Sequence, residues 1–208
     1  MIRSLLEAIH PEFRMGWDLL LAVVPLVLSL ALFRTGRWPR VIWWPVFVVF
    51  LLFLPNAAYV LTDILHLVQE IRHEPYLPVW IVSLVTVPQF VLFIVAGFQS
   101  YTLSLASLGH FLRLQGHQRW IRPVEITIHF LSAVGIYWGR FLRANSWDVI
   151  VDPETLSLDA VYEFTHRQPL AITLGTFAIL LLLYYPLKLV DLAVLELWQR
   201  QRQRTTPG

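Results

Sequence analysis

A chain of 208 residues carries 57% hydrophobic residues, only 14% charged ones, a net charge of +2 and no cysteine. Soluble domains hold about 25% charged residues, so this composition excludes a water-facing globule and reads as a single all-α membrane bundle. Fifteen Arg and the lone Lys188 are scattered without a basic tract, which argues against nucleic acid, and the missing thiols exclude disulfides and thiolate metal sites.

Residues 1–16 carry Glu7 and Glu12 and no small-residue cleavage pattern, so they do not read as a signal peptide. Leu5, Leu6, Ile9 and Phe13 fall near one helical face. A short interfacial helix, cut short by Pro11, is the expectation for this N-terminal segment.

Five apolar stretches follow, at 17–33, 41–61, 77–98, 124–143 and 169–190, each near the length that a hydrocarbon core of about 30 Å requires. They form one bundle domain, 17–192, ahead of a basic tail, 193–208. Trp17, Trp38, Trp43, Trp44, Trp80, Trp120, Trp138 and Trp198 lie at or near predicted boundaries, as an aromatic belt places them.

Residues 77–113 fit either one long helix or two short spans meeting near Gly97. Charge arbitrates. With one helix, Arg34, Arg37, Arg40, Arg113, Arg119, Arg122, Lys188, Arg200, Arg202 and Arg204 gather on one side of the membrane. Positive residues favour the cytoplasm, so the N-terminus is expected outside and the C-terminus inside. The loop 144–168 then caps the outer face, with ETLSLDAVYEF as a short amphipathic helix within it.

Two polar strings interrupt this apolar background: LPNAAYVLTDILHL from Leu54 and GRFLRANSWD from Gly139. Polar groups at membrane depth are costly and call for a reason. In the first string Pro55 favours a kink, and Asn56 can bond the carbonyls that the kink frees. On a continuous helix Asn56, Tyr59, Asp63 and Glu70 project within about 60° of one another, with His66 adjacent. The residues leave two readings open, a helix end surfacing among headgroups with Thr62 bonded to its own backbone, or a working site. In the second reading Asp63 and His66, three apart, are an acid–base pair or two ligands of a divalent metal, with Asp148 as the third.

The span 124–143 carries Glu125, His129, Ser132, Arg140 and Arg143 in a stripe about 80° wide. Glu125 pairing with His129, together with a Gly135-x-x-x-Gly139 packing seam, is the structural reading. A proton or ion path is the functional one, although only apolar side chains and glycines separate Ser132 from Arg140. Arg140 and Arg143 sit at the outer end of their span, against the positive-inside trend. Two guanidinium forks suit phosphate oxygens, and Asn145, Ser146 and Trp147 add hydrogen bonds and an interfacial ring beside such a headgroup. Gln99, Ser100, Thr102, Ser104 and Ser107 are expected to bond between helices. No nucleophile elbow, phosphate loop or HExxH helix occurs.

The paired strings resemble the signature of a family of uncharacterised multi-pass bacterial membrane proteins, domain of unknown function 1361. Asn56, Tyr59, Thr62, Asp63, His66, Arg140, Arg143, Asn145, Ser146, Trp147 and Asp148 match its pattern. Ala58 stands where the family has a second proline, and Ala144 where it has a tryptophan. The resemblance implies membership and a bacterial inner-membrane address, not a mechanism.

The expected function is binding or modification of an anionic lipid or lipid-linked envelope substrate. Asp63, His66 and Asp148 are the candidate catalytic groups. The substrate would be held by Asn56, Tyr59, Thr62, Arg140, Arg143, Asn145, Ser146 and Trp147. Two other readings stand beside it: a small ion-coupled transporter using the Glu125, His129 and Arg140 stripe, and a structural or assembly subunit of a membrane complex.

Overall fold

The computed structural model describes residues 2–34, 38–73, 78–142 and 167–205, and no strand occurs among them. Four stretches are long and apolar enough to cross a bilayer: Met15–Phe33, Arg40–Asp63, Val79–Leu114 and Gln168–Trp198. Many of their leucines and valines are exposed, among them Val41 at 84% and Leu182 at 73%. Lipid tails are the solvent that tolerates such a surface. The chain is an all-α membrane bundle.

Helix α1 runs Ile2–Phe33 without a break, so Pro11 does not stop a separate interfacial helix; the backbone continues through it into the first span. Helix α2, Arg40–Tyr59, stays α-helical through Pro45 and Pro55 and tightens into a 3-10 turn at Val60–Asp63. The predicted kink therefore takes the form of a tighter turn one step beyond Pro55. Helix α3 continues over Ile64–His73.

The stretch from 79 onward is one rod rather than two short spans: α4 (Val79–Ile81), a π turn at Val82–Thr86 and α5 (Val87–Leu114) follow without interruption. Pro88 explains the π turn, because its ring lacks an N–H and crowds the carbonyl four residues earlier, and one widened turn relieves that clash. Helix α5 ends at Gly116, whose φ of 77° is glycine territory. Gly116 N–H bonds the Arg113 carbonyl and His117 N–H bonds that of Leu112, the paired closure of a Schellman stop. This turn folds the next helix back along α5.

Helix α6, Ile121–Tyr137, widens into a π turn at Trp138–Leu142. This predicted span is not among the four apolar crossings; its helix carries Arg122, Glu125, His129 and Ser132 among the apolar residues. Helix α7 is Arg167–Thr205, 39 residues with Pro186 inside.

Helix α1 packs on α2 and α5, while α6 packs on α7 and α2. Phe33, Phe50, Leu54, Val60, Phe98, Leu105, Leu180 and Tyr184 fill the interior. Two glycines let backbones meet. A Cβ on Gly97 would lie 2.8 Å from Val60 Cγ2, and one on Gly135 would lie 2.9 Å from Pro55 Cγ. The expected glycine seam on α6 is thus real at Gly135, and it seats the second polar string against the first.

The hydroxyls of α5 differ from expectation. Ser100, Thr102, Ser104 and Ser107 bond the carbonyls of Ala96, Phe98, Ser100 and Leu103 in their own helix. In a dry interior the i−4 carbonyl is always within reach, so the hydroxyl is satisfied locally and the small side chain leaves room for packing. Gln99 does reach across, donating to Asp191 Oδ1 on α7 at 2.6 Å.

Candidate functional site

The C-terminal ends of α2 and α6 lie side by side. Arg140 donates to the Tyr59 hydroxyl at 3.3 Å, and its guanidinium stands 5.9 Å over the Tyr59 ring. These residues are 81 apart in sequence, and their meeting places both polar strings at one end of the bundle. Tight packing of Pro55 on Gly135 sets the approach. Both Tyr59 and Arg140 keep part of their surface exposed.

Asp63 is 4% exposed, at the close of the 3-10 turn. Thr62 donates to the Tyr59 carbonyl at 2.7 Å, so its hydroxyl proton holds the turn and only its lone pairs can face a ligand. Asn56 is partly buried on the last full turn of α2. The His66 side chain and the whole of Arg143, Asn145, Ser146, Trp147 and Asp148 lie outside the described residues. No group of three or more metal-ligating side chains gathers among the described ones, and two of the three expected metal ligands, His66 and Asp148, are beyond that description.

A second, denser polar group lies inside the bundle between α5, α6 and α7. Glu125, 2% exposed, receives the Lys188 ammonium and the Tyr184 hydroxyl on the same oxygen, the latter at 2.8 Å. One turn along, the fully buried His129 has its Nδ1 2.8 Å from the Tyr101 oxygen. Tyr101 in turn donates to Ser132 Oγ at 3.3 Å. The Tyr184 ring packs edge-on to His129, centroids 4.5 Å apart, and joins the two halves.

Glu125, His129 and Ser132 were visible as a stripe, but they do not pair with each other; each finds its partner on a neighbouring helix. Tyr101 and Tyr184 were not singled out from the sequence, and Lys188 counted there only among the basic residues that set the orientation. The available signal was Lys188, the chain's only lysine, closing the apolar run 169–187. By contrast a shallow groove on α1 lined by Leu19, Leu20, Val23, Val24 and Val27 is apolar throughout and fits lipid tails.

The long apolar helices, with their exposed leucines and valines, define a multi-pass helical membrane protein. Residues 17–182 match the family described as "Protein of unknown function (DUF1361)", and the chain belongs to that family. No curated protein and no solved structure matches it.

Proposed function

We propose that this protein binds an amphiphile with an anionic, phosphate-bearing headgroup, a lipid or a lipid-linked envelope precursor, where α2 and α6 end together. The observation that carries this reading is the Tyr59–Arg140 contact. It holds a guanidinium at a helix end with one side braced on a phenol and part of its surface open. A planar fork of N–H donors matches phosphate oxygens, and its charge in an apolar setting favours an anionic partner. Arg143, Asn145, Ser146 and Trp147 follow in sequence to complete the headgroup site. Asp63, His66 and Asp148 are the groups that would move a proton, or hold a divalent cation, if the bound molecule is modified.

The test uses protein in nanodiscs of mixed phosphatidylcholine and phosphatidylglycerol, with retained lipid read by native mass spectrometry. Wild type is expected to keep phosphatidylglycerol preferentially. Arg140→Ala should lower that preference about tenfold, equivalent to about 1.4 kcal/mol. Equal retention by wild type and variant overturns the reading. Adding free inorganic phosphate separates the two sources of the same chemistry, since competition by phosphate alone points to a soluble ligand.

The site faces outward in this proposal, with the α5–α6 turn and the end of α7 in the cytoplasm, because the basic residues concentrate on that side. A chain without cysteine gives a clean background for labelling. His117→Cys should resist a membrane-impermeant maleimide added to intact cells and react after permeabilisation. Labelling in intact cells would reverse the orientation.

A further inference from the structure

At the end of the bundle opposite Tyr59, aromatic rings tie three helix ends together. Phe33 closes α1, and its ring centroid lies 5.4 Å from those of Phe50 on α2 and Phe111 on α5. Trp43 stacks on Phe47 at 4.9 Å and on Phe111 at 6.1 Å, and Trp44 stands edge-on to Trp43 at 5.1 Å. Exposure rises through these rings, from 0% at Phe50 to 60% at Trp44. The core thus runs out into an exposed indole, the amphipathic ring that settles where lipid meets water. The Trp38 indole N–H donates to the Ala31 carbonyl at 3.0 Å and ties the approach to α2 back onto α1.

Arginines flank these rings. Arg34 follows Phe33, Arg40 opens α2 one turn before Trp43 and Trp44, and Arg113 lies in the last turn of α5, two residues past Phe111. All three are exposed, and none makes an ion pair among the described residues. The chain offers little to neutralise them. No acidic residue occurs between Asp18 and Asp63, or between Glu74 and Glu125. On the neighbouring helices Glu125 is taken by Lys188 and Asp191 by Gln99, which leaves Glu196, exposed on α7. Guanidiniums gathered beside a lipid-facing surface without counter-charges call for anions from outside the chain.

We infer that this end of the bundle binds an anionic phospholipid with two phosphates, the chemistry of cardiolipin. Packed helices stand about 8–10 Å apart, so guanidiniums rooted at three helix ends cover more ground than one phosphate fills. Two phosphates joined through one glycerol can each take a guanidinium fork. The rings receive the glycerol backbone and the upper acyl chains, and the exposed Trp44 indole N–H is a donor at that level.

The site is distinct from the headgroup site proposed above. Helix α2 rises about 28 Å between Arg40 and Tyr59, close to the full hydrocarbon thickness of about 30 Å. The two sites therefore serve opposite leaflets.

Full-length protein in phosphatidylcholine nanodiscs, doped with cardiolipin or with phosphatidylglycerol at equal phosphate, tests this by native mass spectrometry of the retained lipid. Wild type should keep cardiolipin about tenfold over phosphatidylglycerol. The triple variant Arg34→Gln, Arg40→Gln, Arg113→Gln should lose that preference while unfolding at the wild-type midpoint, because the three side chains are exposed. Equal retention of the two lipids by wild type overturns the proposal. So does a preference that survives in the triple variant, or one that Arg140→Ala abolishes, since that would put the lipid at the other end. The triple variant should also leave the Arg140-dependent retention of phosphatidylglycerol unchanged, so failure of either reading leaves the other standing.

Discussion

Glu125→Ala is expected to destabilise the folded bundle by about 3 kcal/mol, near the lower end of the cost of breaking a buried ion pair. The substitution leaves the Lys188 ammonium without its carboxylate and the Tyr184 hydroxyl without its acceptor. Lys188 is 20% exposed, so it recovers part of its hydration by swinging outward, which keeps the cost from rising further. Folded yield in detergent and the midpoint of thermal unfolding measure the effect. The double variant Glu125→Gln with Lys188→Met should recover most of the loss, because removing both charges together leaves no uncompensated ion. If the double variant is less stable than Glu125→Ala, the ion pair is not what holds α6 to α7.

Gly135→Leu is the second large effect expected. Even a methyl group at this position would meet Pro55 Cγ at 2.9 Å and Cβ at 3.0 Å, and a proline ring has no rotamer by which to withdraw. Helix α6 must therefore move away from α2. Overpacking of this kind costs about 1–3 kcal/mol for a few added methylenes, and leucine belongs at the upper end. Tyr59 and Arg140, one to two turns further along the same pair of helices, would separate with them. Gly135→Leu should then lose headgroup preference as fully as Arg140→Ala while also lowering the unfolding midpoint. Gly97→Leu, which presses on Val60, should be similarly unstable through α5. Wild-type stability in Gly135→Leu would mean that the two helices do not pack as described.

The spans were legible because lipid imposes long apolar runs, and no other environment asks for them. Tyr59 and Arg140 were legible as well, since each falls on the polar face of its own helix and the two strings run in the same sense. Local patterning also found Glu125, His129 and Ser132. It could not find Tyr101, Tyr184 and Lys188, because those partners lie 28 to 63 residues away and helix periodicity says nothing about which faces meet. The α5 hydroxyls were misassigned for a related reason. A serine in an apolar helix has both a neighbour's groups and its own backbone as bonding choices, and sequence does not rank them. Pro11 was read as a stop and Pro55 as a kink, whereas both helices stay α-helical through them.

The length of α7 has a mechanical consequence. Thirty-nine residues make a rod of about 58 Å, nearly twice the thickness of the hydrocarbon layer at about 30 Å. Such a rod must lean steeply or stand proud of the headgroups. Pro186, two residues before Lys188 and inside the rod, is the joint about which the protruding part can swing, because its missing N–H removes one rung of the ladder. The Glu125–Lys188 contact sits beside that joint, and Arg200, Arg202 and Arg204 lie on the part of the rod beyond it.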